Sequence, residues 1–114
     1  MKRDMDLCRE ILLEIEGYEG APGMLELSSE KGSEDYISYH VKLLYEAGLI
    51  EAMDASGMNS FKWYPVSLTW QGHEFLDAAR DETRWNKAKS KVVSATGGLA
   101  FEFLKQSLFH VTGL

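Results

Sequence analysis

The sequence predicts an α+β fold that is mostly α: helices around a single β-hairpin, followed by a C-terminal helical extension. Three observations carry this. Apolar residues recur at helical spacing in several separate stretches. The run 61–68 (FKWYPVSL) is aromatic and β-branched, as a strand is. Between it and the short apolar run 49–53 (LIEAM) lies a turn-forming segment of Asp, Ser, Gly and Asn.

The first helix is predicted from about residue 5 to 16. Asp4 supplies the N-cap, and Asp6 places negative charge in the first turn, where the helix dipole favours it. Its apolar stripe is Leu7, Cys8, Ile11, Leu12 and Ile15. Gly17, then Gly20, Ala21, Pro22 and Gly23, end it and turn the chain. Residues 24–27 (MLEL) fit an extended segment beside the sheet. A second helix over 33–47 is capped by Ser33, with Glu34 and Asp35 in its first turn. Ile37, Val41 and Leu44 form its inner row, and Gly48 stands where a left-handed residue closes a helix, so that Leu49 folds back as in a Schellman motif.

The two β runs make a hairpin wing over 49–69 with its tip within 54–60. Pro65 cannot donate to a ladder, so that strand is an edge or is bulged there. Thr69 caps a helix over about 70–80, whose inner face takes Leu76, Ala79 and the ring of Trp70 or Phe75. Trp85, Ala88, Val92 and Ala95 define the next helix, Gly97 and Gly98 break it, and a last apolar helix starts at Leu99. The organisation expected is a domain over 1–80, with C-terminal helices over 81–114 packed on it or forming a dimer interface, the whole one structural unit.

Composition narrows function. At 114 residues and 45% hydrophobic, the chain is long enough to bury a core without metal or disulfide support. Its single cysteine, Cys8, allows no intramolecular disulfide and closes no cysteine-based zinc site. On the inner face of the first helix, Cys8 reads as an inert core thiol. Nothing approaches the apolar length of a membrane span, and no signal-peptide core follows the charged start, so the reading is cytoplasmic with no membrane partner. A net charge of −6 argues against a strongly basic nucleic-acid binder.

Candidate chemistry is thin. His73 and Asp77 lie one helical turn apart and could face one ion, but Asp77 stands where a zinc-protease helix needs its second histidine, and no third ligand is evident. His40 has neither a nucleophile nor a paired carboxylate beside it, so it is expected to pack at the junction of the second helix and the wing. Trp63, Trp70 and Trp85 could stack bases, yet in so small a chain they are more often core or half-core residues. The expected catalytic, cofactor and metal sets are therefore empty.

Arg80, Arg84, Lys87 and Lys91 recur at helical spacing and are the candidate phosphate contacts. Residues 80–105 hold six cations against three anions, yet a solvated face opposite Trp85, Ala88 and Val92 is the favoured reading of such a stripe. The second helix, in the position of a recognition helix, carries Glu34, Asp35 and Glu46 against Lys42 alone, the wrong sign for phosphate contact.

The order helix, helix, hairpin, helix resembles a winged helix. Residues 39–50 (YHVKLLYEAGLI) look like a recognition-position helix feeding the first wing strand. Residues 68–76 (LTWQGHEFL) resemble the L-T-x-x-G-x-x-F-L pattern that follows a wing. These two segments, with the opening MKRDMDL, are further similar to a family of short bacterial and prophage proteins of unknown function. That resemblance implies a winged-helix-like domain and phage or prophage association, and brings no catalytic or binding residues with it. One departure is clear: little room remains between Gly23 and Tyr36 for an ordinary second helix, which weakens DNA docking by the usual geometry.

The leading expectation is a non-enzymatic protein-interaction or assembly module, with a DNA-binding regulator as the alternative and an enzyme a distant third. A homodimer is expected through Phe101, Phe103, Leu104 and Leu108, since the last helix is apolar on more than one face.

Overall fold

Each helix starts where a side-chain oxygen can take up its first free amides. In the computed structural model, which describes residues 1–28, 30, 32–96, 104–106 and 108, helix α1 spans Met5–Gly17, α2 Glu34–Glu46, α3 Trp70–Ala79 and α4 Glu82–Thr96. Asp4 Oδ1 accepts from the amides of Asp6 and Leu7, and Ser33 Oγ from Tyr36. Thr69 Oγ1 accepts from Gly72, and Asp81 Oδ1 from Arg84. A cap of this kind contributes about 1 kcal/mol. The end of α2 is equally local. Gly48 takes φ +77°, its N–H donates to the Tyr45 carbonyl, and Leu49 N–H donates to the Leu44 carbonyl, the Schellman pattern that glycine was expected to close.

Strands β1 (Ile50–Asp54) and β2 (Trp63–Leu68) pair antiparallel in a two-stranded sheet. The register runs Ile50 to Leu68 and Glu51 to Ser67, then steps to Ala52 opposite Pro65, leaving Val66 as the extra residue of a bulge. The bulge sits beside the proline that has no amide to give. Beyond the strands, Ala55 N–H donates to Lys62 O, and Gly57 and Ser60 face each other across the turn, so the tip falls within 54–60. Residues 24–27 form no strand. The adjacent β2 spends the Trp63 amide on the Ser38 hydroxyl, 3.2 Å away, rather than on a third strand. Among the described residues no helix intervenes between α1 and α2.

The chain divides into Met1–His73 and Glu74–Leu114. In the first unit, α1 packs on α2 and β2, while α2 packs on both strands. Leu7, Cys8, Ile11, Leu12 and Ile15 are buried as their spacing predicts, joined by Met5. Ile37, Val41, Leu44, Leu49 and Ile50 complete this core. Burying a side chain of this size stabilises by roughly 1.5–3 kcal/mol. His40 makes its side-chain hydrogen bonds with Asp4 and Tyr36. It is fully buried against the start of α1, where Nε2 accepts from the Asp4 amide at 2.8 Å and Nδ1 donates to the Tyr36 carbonyl at 2.9 Å. A ring with one acceptor and one donor nitrogen matches that pair of partners, so the neutral Nδ1–H tautomer is the one held.

In the second unit, Phe75, Leu76, Ala78 and Ala79 are buried, as are Trp85, Ala88 and Val92. The Phe75 and Trp85 rings meet edge to face with centroids 6.2 Å apart. Trp70 is not the inner ring of α3: it is 76% exposed, and Phe75 is buried instead. Leu104 and Leu108 are helical and already buried within one chain. The Gly97 and Gly98 break, and Phe101 and Phe103 of the expected dimer interface, lie outside the described residues.

Burial gives Cys8 a testable chemistry. Removal from water pushes its thiol from near 9 up to about 12, because the thiolate loses its hydration. The native thiol is therefore expected to resist Ellman's reagent at pH 8 and to react once denaturant unfolds the chain. The raised value also sets a sign. Folding stability from this group is intact below pH 9 and falls as pH rises from 9 towards 12, because the unfolded chain ionises first. Rapid labelling of the native protein would contradict the burial.

Candidate functional site

A concavity lies in the first unit, where α2, β2 and the segment 25–27 meet. Its volume is about 300 Å³, at the small end for a ligand cleft. Leu25, Leu27, Ile37 and Pro65 give it apolar walls, and Trp63 and Tyr64 add two aromatic faces. Ser38 is buried at its base and is committed to the Trp63 amide.

Three charged groups share the rim: Glu26, Glu34 and Lys62. Lys62 Nζ donates to Glu34 Oε1 at 2.7 Å and stands 5.0 Å from the centre of the Tyr64 ring. The Glu34 hydrogen bond is the main cause holding the Lys62 pKa above its ordinary value; partial burial opposes it, and the charges of Glu34, Tyr64 and Glu26 add to it. An ammonium thus sits against a carboxylate and an aromatic face together. Sequence reasoning passed over this cluster, because its members come from three segments and none belongs to a motif.

A second surface surrounds the hairpin. Met58 at the tip is fully exposed, and Met24 and Met53 are 70% and 49% exposed. A Cβ on Gly23 would lie 3.2 Å from the Met53 methyl, which places Met53 against the stretch carrying Met24. The tip residues 54–60 include no lysine or arginine. Asp54 at its base accepts from the Ser56 amide, and its hydrogen bonds to Ser56 are the largest cause holding its carboxyl below the usual value.

Residues 2–98 match the model of a family described as hypothetical protein (DUF2513). The chain belongs to this family. An uncharacterized protein of Haemophilus influenzae is 44% identical over 107 residues, which cover 93% of this chain and 91% of that protein. No solved structure matches significantly.

In this DUF2513 member the predicted basic stripe is not continuous. Arg84, Lys87 and Lys91 share α4 and are exposed, but Arg80 falls in the gap after α3, because Asp81 caps a new helix there. Arg80 donates instead to Asp77 Oδ1 at 2.8 Å. Of the three tryptophans, Trp85 is core, Trp63 is half-buried with its ring 5.6 Å from that of Tyr45, and Trp70 is exposed. Among the described residues, no helix is long and apolar enough to cross a membrane, and no three His, Cys, Asp or Glu side chains are grouped to hold a metal ion.

Proposed function

We propose that this DUF2513 protein is a winged-helix-like, non-enzymatic module that binds another protein through the hairpin and the surface beside it. The order of α1, α2, hairpin and α3 and the Thr69-capped start of α3 support the winged-helix reading. The observation that carries the choice of partner is the character of the wing. Its tip presents a fully exposed methionine and no cation, and its one lysine, Lys62, is paired with Glu34. Methionine adapts to apolar partner surfaces, whereas the electrostatic part of phosphate binding is supplied by lysine and arginine. Association with a phage or prophage belongs to the same reading.

The test is capture from a lysate of the native host, with and without nuclease. A host protein retained after nuclease, and lost with Met58→Asp, is the expected outcome; recovery of DNA in its place overturns the proposal. The DNA-binding alternative draws on exposed Arg84, Lys87 and Lys91 along α4. It requires submicromolar, salt-sensitive binding to duplex DNA by fluorescence anisotropy, and we expect none at physiological salt given the net charge of −6. The proposed assembly is a homodimer. Leu104 and Leu108 of the expected interface are buried within one chain, and Phe101 and Phe103 lie outside the described residues. Light scattering should give twice the 12.9 kDa chain mass, and a monomer mass would remove the dimer.

A further inference from the structure

We infer that the cleft between α2, β2 and residues 25–27 receives a basic side chain, arginine or lysine, carried on an otherwise apolar stretch of the partner protein. The inference rests on the protein-binding reading and names the chemistry of the segment recognised. The walls supply apolar contact through Leu25, Leu27 and Ile37, while two carboxylates on the rim face a single ammonium. The residual charge of the rim is therefore negative and complements a cation.

Lys62 shows what the site holds. Its ammonium rests on Glu34 and over the Tyr64 ring, and only 27% of its side chain is exposed although the residue lies in the hairpin loop. A cation of the chain itself already uses the carboxylate and ring that an incoming one would use. Glu26 also lines the cleft, and among the described residues no hydrogen bond joins it to Lys62, so a second cation finds a carboxylate there. A guanidinium fits this setting well, because it pairs with carboxylate in its plane and stacks on an aromatic face. Lys62 thus acts as a competitor: it keeps the cleft occupied until a basic partner segment displaces it from Glu34 or pairs with Glu26 beside it.

The experiment is an amide NMR titration of the full chain with acetyl-Leu-Arg-Leu-amide, using acetyl-Leu-Gln-Leu-amide as the neutral probe. Saturable shifts at Ser38, Trp63 and Tyr64 are expected with the arginine probe, and affinity about threefold or more weaker with the neutral one, the scale of one partly exposed charge pair. Glu26→Gln should weaken the arginine probe, and Lys62→Met should tighten it by about two- to fivefold by removing the competitor. Equal affinity for the two probes, no saturable shift at the cleft, or weaker binding in Lys62→Met would each overturn the inference. Glu26 is exposed and Lys62 half-buried, and the same spectra report whether the fold is kept. If the arginine probe fails while nuclease-resistant capture persists, only the cleft assignment falls; DNA-dependent capture removes the wider reading.

Discussion

Replacing Gly72 with alanine should destabilise the protein by roughly 2–3 kcal/mol, the opposite sign to the usual effect of this exchange within a helix. Gly72 is buried in the first turn of α3, and its amide donates to Thr69 Oγ1 at 3.0 Å. A Cβ there would overlap the Leu49 carbonyl oxygen, a backbone atom that cannot swing aside. That same oxygen accepts from the Thr69 amide at 3.0 Å, and the Thr69 hydroxyl donates to the Gly48 carbonyl at 2.6 Å. The end of α2, the start of β1 and the start of α3 are therefore tied at one point. Alanine gains up to about 1 kcal/mol from a less flexible unfolded chain. Forcing the backbones apart costs about 1–3 kcal/mol, and weakening the Thr69 bond about 1 more. Gly17→Ala is the control, since a Cβ there meets nothing within 4 Å. Urea denaturation should show a large fall for Gly72→Ala and at most a small gain for Gly17→Ala, and equal stability of the two would remove the close approach.

His40→Ala is expected to cost about 3 kcal/mol, combining a core cavity with a lost acceptor. The ring is fully buried and meets Tyr36 edge-on at a centroid distance of 4.5 Å. Its Nε2 accepts from the Asp4 amide, and Asp4 is also the cap of α1. Loss of the imidazole therefore loosens the start of α1 as well as the core. His40→Leu refills part of the volume but leaves the Asp4 amide without its acceptor, so it should recover only part of the loss. Full recovery with leucine would mean that shape alone matters at this position. Hydrogen exchange at the start of α1 reports the lost acceptor, because the Asp4 amide should exchange faster in the leucine variant even where global stability is partly recovered.

The elements that sequence reasoning located share a physical property: their causes are local. Asp4, Ser33 and Thr69 cap helices within three residues of themselves, and Gly48 closes α2 through amides of its own turn. The inner rows of α1 and α2 follow from 3.6-residue spacing alone. Pro65 announces an irregular strand because it has no amide to give, and the bulge lies beside it. Residues 24–27 show where this reasoning stops. A short apolar run is compatible with a strand, but whether it pairs depends on what its neighbour has already bonded.

Trp70 and Phe75 mark the same boundary in a helix. Both are large aromatics on α3, and periodicity left either as the inner ring; packing decided for Phe75, which meets Trp85. The Asp81 cap likewise decided that Arg80 leaves the basic row, since a helix restart changes the phase of everything after it. By itself, then, the sequence determined where the described helices and the hairpin begin and end, which faces are apolar, and a net charge of −6. Tertiary structure alone decided the candidate site. Glu34 and Lys62 stand 28 positions apart, Ser38 and Trp63 25, and Asp4 and His40 36. Pairings across such distances depend on how the chain closes its core, and no spacing rule along the sequence carries that information.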